Sequence, residues 1–176
     1  MTDTIPTLEA KPIGWSFKQI GEFAEKLGKE LKYEMGGSIE SLIEKLGGKI
    51  RVGEFNEGDG VEASMQVNQI GDFQINLPSF TGYLRDRFML AHELGHYVLH
   101  YIMNSDRKKD RTYQMTVYRG ELNKLEKEAN WFAAGFLIPA KEFMENKNLT
   151  DEALSDLFLV SRQAIEYRRK VLCSNQ

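Results

Sequence analysis

The stretch Arg87-Phe88-Met89-Leu90-Ala91-His92-Glu93-Leu94-Gly95-His96-Tyr97-Val98-Leu99-His100 decides the fold of this chain. It holds all three histidines of the protein, and its centre reads His-Glu-x-x-His within an apolar pattern of helical spacing. Residues four apart in an α-helix lie one turn from each other on the same face. The pattern therefore predicts a helix on which His92 and His96 reach one point and Glu93 lies beside them.

Two imidazoles at this spacing are typical of the zinc site of a hydrolase. In such a site an open position of the metal holds water, lowers its pKa to about 7, and places it beside a carboxylate that removes its proton. We therefore predict that His92 and His96 bind Zn²⁺ and that Glu93 is the catalytic base. The alternative is an ordinary helix that matches the pattern by chance.

Composition limits the class of protein. The chain has 176 residues, of which 41% are hydrophobic and 28% are charged, and its net charge is −3. This charge gives no general basic field, so nucleic-acid binding is expected only through a local patch. The single Cys173 fits a reducing compartment, and we find neither an apolar run of 18 residues nor a secretory signal. We expect a cytoplasmic protein without a membrane segment.

The chain divides into three predicted parts. Residues 1–47 are an extended lead-in and two helices of unassigned role, capped by Ser16 and Ser38. Residues 48–147 are a zinc metallopeptidase-like domain, in which a period of two from Lys49 to Leu77 predicts a three-stranded antiparallel meander. Residues 148–176 are a small helical subdomain that resembles half of a helix-turn-helix motif. The predicted fold class is α+β, with the small antiparallel sheet packed on the helices of the metal site.

Two segments have alternative interpretations. If Phe73–Leu77 is an edge strand beside the cleft, it can pair with an extended substrate peptide, although a purely structural strand is equally consistent with the sequence. The charged residues Asn104–Arg111 indicate a solvated loop, with a lid over the cleft as the alternative.

A zinc site with two histidines needs a further protein ligand. His100 continues the same helix one turn farther out and is excluded, which leaves a carboxylate or Cys173. Glu126 and Glu128 lie in the next predicted helix, roughly Glu121 to Leu137. Glu126 is preferred because Asn130, one turn later, can accept the free N–H of a ligating histidine, and Glu128 stays an alternative.

These motifs together resemble the ImmA/IrrE family of zinc metallopeptidases. The resemblance covers about residues 48–172 and lies in the His-Glu-x-x-His helix, in Glu126-x-x-Ala129-Asn130-x-Phe132-Ala133-Ala134 and in Phe136-Leu137-Ile138-Pro139. It implies His92, His96 and Glu126 as zinc ligands and Glu93 as general base. It further implies a peptidase that cleaves or inactivates a helix-turn-helix repressor in a phage, mobile-element or stress-response setting.

The leading hypothesis is a zinc endopeptidase acting on a protein partner. One rival is a metal-binding regulator that titrates its partner without cutting it, and another is the toxin of a toxin–antitoxin pair, held by its cognate antitoxin. Three tyrosines, Tyr97, Tyr113 and Tyr118, are considered as donors to the oxyanion. A packing or partner-docking role of the C-terminal helices is favoured over DNA contact through Arg162 and Gln163, because acidic residues balance the charge of these helices.

Overall fold

The structure, a computed structural model, describes residues 5–53, 63–79, 81–104, 113–118 and 123–173. Within these residues the fold is α+β, as predicted, with seven helices and one four-stranded sheet. The elements are α1 (Phe17–Glu30), α2 (Ile39–Lys45), β1 (Gly48–Gly53), β2 (Ala63–Gln69), β3 (Asp72–Pro78), α3 (Tyr83–Gly95), β4 (Met115–Tyr118), α4 (Lys124–Leu137), α5 (Ala140–Glu145), α6 (Asp151–Phe158) and α7 (Arg162–Cys173). Helix α3 continues as a π-helical segment, His96–Ile102, here called the π segment.

The sheet is mixed, so the prediction of a three-stranded antiparallel meander is wrong. The strand order is β1-β3-β2-β4, with β1 parallel to β3 and β2 antiparallel to both of its neighbours. The alternation of apolar residues predicts which side chains face the core, but it does not determine which strands become neighbours. Strand β4 has only four residues, which is too short for an alternation of apolar residues to predict it.

Strand β3 is therefore not an edge strand. Gly48 is paired with Phe73 on one side, and Met65 is paired with Ile75 on the other. The backbone of Phe73–Leu77 is thus engaged on both sides by the sheet. This arrangement rules out the hypothesis that Phe73–Leu77 pairs with a substrate peptide.

Helix α1 packs closely on α4. Its start is fixed by a capping box, in which Ser16 accepts the N–H of Gln19 and Gln19 accepts the N–H of Ser16. The two helices approach where both carry glycine: a Cβ atom built on Gly135 would lie 2.7 Å from Cα of Gly21. Such a contact exists only because Gly135 has no side chain, and it brings α4 against the N-terminal part of the chain.

Arg87, on α3, is a buried cation that joins three distant segments. Its guanidinium donates to the carbonyl oxygen of Gly37 at 2.7 Å, to the hydroxyl of Tyr33 at 2.9 Å and to the carbonyl oxygen of Leu159 at 3.0 Å. Three donations satisfy most of its hydrogen-bonding capacity, which is what makes its complete burial tolerable. The helix that carries the histidines is thereby fixed to the end of α1 and to the turn after α6.

The C-terminal helices pack on the rest of the molecule. Thr150 caps α6, and Leu159 turns the chain into α7 with a φ of 50°. Arg168 on α7 is buried and donates to Glu25 at 3.1 Å and to the carbonyl oxygen of Ile138 at 2.9 Å. The three-part division of the chain stays a prediction, although these contacts join its first and last parts.

Two further expectations concern segments around the core. Of the charged segment Asn104–Arg111, only Asn104 falls within the described residues. Within the described ranges no helix is both long and apolar enough to cross a membrane.

Candidate metal centre

Helix α3 and the π segment that continues it bring His92 and His96 together. Their Nε2 atoms lie 3.1 Å apart, and the ring centroids are 4.7 Å apart at an interplanar angle of 71°. Because both residues belong to consecutive turns of one helix, this convergence requires no tertiary contact. The structure thus agrees with the local geometry that the His-Glu-x-x-His spacing predicts.

Glu126 comes to the same point from the first turn of α4. Its Oε2 lies 3.2 Å from Nε2 of His92, and its Oε1 lies 3.1 Å from Nε2 of His96. Asn123 caps this helix and accepts the N–H of Glu126 at 3.0 Å, which fixes where the first turn begins. We call His92, His96 and Glu126 the metal triad.

The triad has the dimensions that a small divalent ion requires. Ligand atoms about 2.0–2.1 Å from a tetrahedral zinc ion lie roughly 3.3 Å from one another. The separations of 3.1–3.2 Å between the two imidazoles and the carboxylate are close to that distance. Within the described part of the chain these residues also form the one group of three that can hold a metal ion. Cys173, exposed at the end of α7, is not in that group.

Close packing of α3 on α4 makes the approach of Glu126 feasible. Gly95, inside the motif, faces α4, and a Cβ atom there would lie 3.1 Å from Cβ of Phe132 and 3.2 Å from Cα of Ala129. Glu128, two residues after Glu126, points to a different side of α4 and is fully buried away from the triad. The structure thus brings Glu126, and not Glu128, to the two histidines.

Asn130 lies where the sequence predicted it, one turn after Glu126. Its Oδ1 is 2.9 Å from Nδ1 of His92. When Nε2 of His92 faces a metal, Nδ1 carries the proton and donates it to Asn130. Asn130 therefore fixes both the tautomer and the orientation of the His92 ring.

Glu93 is buried beside the triad, with 5% of its surface exposed. Oγ of Ser64 on β2 lies 3.2 Å from Oε2 of Glu93 and 3.3 Å from the carbonyl oxygen of Val117. Burial raises the pKa of Glu93, and the neighbouring histidines and the Ser64 hydrogen bond only partly oppose this. A carboxylate with a raised pKa is a stronger proton acceptor, which suits a general base.

Mutual contacts also shift the pKa values of Glu126 and His92. Burial would raise the pKa of Glu126, but its hydrogen bonds to His92 and His96 hold it well below the usual range. Burial would lower the pKa of His92, yet its hydrogen bond to Glu126 and the charge of Glu93 raise it overall. In the metal-free protein these contacts favour a charged Glu126 carboxylate and a protonated His92, whose proton a bound metal ion would replace.

The triad opens into a cleft of about 260 Å³. Beyond His92 and Glu126 of the triad, and Glu93 and Asn130, the cleft is lined by Ser64, Arg85, Phe88, Met89 and Tyr118. Ser64 and Arg85 were not identified from the sequence, since a serine in a strand and a surface arginine before an apolar run carry no distinguishing signal.

Of the three tyrosines considered as donors, only Tyr118 lines the cleft. Tyr97 is buried, stacks on Phe73 with ring centroids 4.1 Å apart, and accepts the N–H of Gly71 through its hydroxyl. Tyr97 therefore does not line the cleft.

The C-terminal Arg162, considered for DNA contact, forms an exposed ion pair with Glu152 at 2.7 Å.

Comparison with known proteins places these elements in a family. A model of the family Peptidase_M78, described as the IrrE N-terminal-like domain, matches residues 81–170 and so includes the whole triad. Among solved structures, a Mycobacterium tuberculosis transcriptional regulator matches with a TM-score of 0.57 and 16% identity, which shows likeness of fold alone. The match covers 87% of this chain and 46% of that protein, so the chain spans about half the length of the regulator. No curated protein sequence matches the chain.

Proposed function

Because the chain belongs to the Peptidase_M78 family of IrrE N-terminal-like domains, we propose that it is a zinc-dependent endopeptidase that cleaves a protein partner. One observation carries this proposal: the ligand atoms of His92, His96 and Glu126 converge at a cleft that also contains the buried carboxylate of Glu93. A metal triad with an adjacent base is an arrangement suited to metal-assisted hydrolysis of a peptide bond.

Zinc held by the triad would act as a Lewis acid on the scissile carbonyl and on a water molecule. The carboxylate of Glu93 accepts a proton as the water oxygen bonds to the carbonyl carbon, and it donates that proton to the nitrogen as the C–N bond breaks. Ser64 holds Oε2 of Glu93 by a hydrogen bond, which keeps the base oriented through both transfers. The hydroxyl of Tyr118 is the proposed donor to the oxyanion, because among the three tyrosines it alone lines the cleft.

Strand β4 is the proposed docking edge for the substrate. It lies at the end of the sheet and pairs with β2. The N-terminal segment bonds to Gln114, directly before β4, but among the described residues no other strand pairs along Met115–Tyr118. Strand β4 also carries Tyr118 into the cleft, so a peptide paired with it passes the triad in extended form. Phe88 and Met89 give that part of the cleft an apolar wall.

The proposed substrate is a helix-turn-helix transcriptional repressor. The resemblance of the chain to the ImmA/IrrE peptidases supports this choice. The name of the structurally similar protein, a transcriptional regulator, favours a second candidate, a metal-binding regulator that sequesters its partner without cutting it.

Glu93→Gln separates the two candidates, because it keeps the volume of the side chain, the oxygen facing Ser64 and the triad. The wild type and the variant are each expressed in the native host with zinc supplied, and new N-termini in the proteins of the host are identified by mass spectrometry. We expect a fragment of a repressor with the wild type and none with the variant, which still binds zinc. Equal repressor levels without new N-termini, together with equal regulation by both proteins, would replace the peptidase with the sequestering regulator.

A further inference from the structure

Two buried groups behind the metal triad take no part in the proposed reaction. Nδ1 of His100, in the π segment, lies 2.9 Å from Nδ1 of His96, and Nε2 of His100 lies 3.0 Å from Oε2 of Glu128. Both His100 and Glu128 are fully buried. They form a continuous row of polar groups leading away from the triad through the core.

The hydrogen atoms in this row have only one arrangement that satisfies every nitrogen. Nε2 of His96 faces Glu126 and His92, so a ligating His96 carries its proton on Nδ1. That N–H then donates to Nδ1 of His100, whose own proton must lie on Nε2. From there it donates to Glu128, which as a carboxylate only accepts.

The far end of the row is the segment that precedes α1. The N–H of Ile13 donates to Oε2 of Glu128 and the N–H of Gly14 donates to Oε1, both at 2.8 Å. Gly14 has a φ of 81°, a left-handed conformation that glycine adopts readily and that directs the two successive N–H groups at one carboxylate. Glu128 thus receives donors from His100 and from two backbone groups.

We propose that His100 and Glu128 are positioning residues for the ligand His96, and that Ile13-Gly14 completes the row, so that the N-terminal segment helps set the affinity of the triad for metal. This inference rests on the proposed function, since it concerns the same metal site. Hydrogen-bond partners of a ligating histidine fix its tautomer and ring orientation, and their loss typically weakens metal binding 10- to 100-fold. The row gives His96 what Asn130 gives His92.

Glu128→Gln is the central test, because it keeps the shape but turns an amide NH₂ towards at least one of the three donors. Glu25→Gln is the matched control: Glu25 also joins distant segments, accepting from Ala140 and Arg168, but it does not touch the row. Zinc affinity is measured by competition with a chelator, and stability by urea unfolding of the metal-free proteins. We expect Glu128→Gln to weaken zinc binding 10- to 100-fold, and Glu25→Gln to lose stability with a change in affinity below about threefold.

The outcomes separate this inference from the proposed function. A wild-type protein that binds no zinc would remove both. If Glu128→Gln binds zinc as tightly as the wild type does, Glu128 has no positioning role, and the peptidase proposal stays intact. If Glu128→Gln and Glu25→Gln both weaken zinc binding in proportion to the stability that they lose, Glu128 has only a structural role.

Gly14→Ala tests the N-terminal end of the row. A Cβ atom there has room, with Nζ of Lys124 at 3.8 Å, so the substitution mainly strains the left-handed backbone. Gly36→Ala, at a φ of 72° and with ordinary contacts, imposes the same strain outside the row. We expect weaker zinc binding only for Gly14→Ala, and equal affinities of the two variants would exclude the N-terminal segment.

A spectroscopic measurement keeps the proposal testable even if Glu128→Gln does not fold. The protein has three histidines, so their ring nitrogens can be assigned in ¹⁵N NMR spectra of the zinc-loaded wild type. We expect the Nδ1–H tautomer for His92 and His96, and the Nε2–H tautomer for His100. A proton on Nδ1 of His100 would contradict the row directly.

Discussion

The contact between Gly135 and Gly21 gives a sharp prediction about the α1–α4 interface. A Cβ atom on Gly135 would lie 2.7 Å from Cα and 2.8 Å from the carbonyl oxygen of Gly21, and backbone atoms cannot move aside as a flexible side chain does. Gly135→Ala therefore forces the two helices apart, and overpacking of this kind costs about 1–3 kcal/mol. The better helix propensity of alanine offsets about 1 kcal/mol of that cost.

Gly21→Ala is the matched control in the facing helix. A Cβ atom on Gly21 would meet only Nη1 of Arg168, at 4.0 Å, which is an ordinary contact. Both glycines are buried in helix interiors, so the gain in propensity is common to both variants. The difference between their free energies of unfolding therefore isolates the steric term, and we expect Gly135→Ala to be less stable than Gly21→Ala by about 1–3 kcal/mol.

The assay is urea unfolding of the metal-free proteins, followed by far-ultraviolet circular dichroism. We expect a lower midpoint for Gly135→Ala and a midpoint at or above that of the wild type for Gly21→Ala, with unchanged m-values. In thermal unfolding, each kcal/mol corresponds to a shift of roughly 2–4 °C for a domain of this size. Two variants of equal stability would refute the close approach of α1 to α4.

Three further predictions concern the site. Glu126→Ala should reduce zinc content from about one ion per chain to a small fraction, measured by elemental analysis, whereas Glu145→Ala, at an exposed carboxylate, should keep the full content. In the metal-free protein, burial and a neighbouring imidazole lower the pKa of His100 from 6.5 to about 4. As the pH falls, the unfolded chain binds a proton at His100 before the folded protein does. Between pH 6.5 and 4 the free energy of unfolding of the wild type should therefore fall by about 3 kcal/mol more than that of His100→Gln. Parallel curves of unfolding free energy against pH for the two proteins would contradict this. Ser64→Ala should raise the pKa of Glu93 further and move the acidic limb of the pH–rate profile to higher pH. An unchanged acidic limb would mean that the Ser64 hydroxyl donates only to the carbonyl oxygen of Val117.

The part of the site that the sequence could predict depends on local periodicity. His92 and His96 converge because one helix carries both, and Asn130 lies beside His92 because it follows Glu126 by one turn. The choice between Glu126 and Glu128 is less local. Asn130, one turn after Glu126, favours Glu126 in the sequence, and the packing of α4 on α3 brings this residue to the two histidines.

Other features depend on tertiary structure that periodicity does not determine. Parallel pairing of β1 with β3 joins residues about 25 positions apart, and no residue pattern distinguishes it from the predicted meander. The spacing argument excluded His100 as a ligand, and the structure places it outside the triad, but the contact with His96 arises in a π segment that the sequence does not signal. Ser64 reaches Glu93 only because β2 lies beside α3.

The burial of Arg87 has a consequence for how the chain is made. The guanidinium bonds to the carbonyl oxygen of Leu159, 72 residues later, and to groups about 50 residues earlier. Until residue 159 has left the ribosome, this cation lacks one of its acceptors, and the helix bearing the histidines cannot bury it without loss. We therefore expect metal loading to require synthesis of the chain through residue 159, and a nascent chain or truncation that contains His92, His96 and Glu126 but ends before Leu159 should hold the ion poorly.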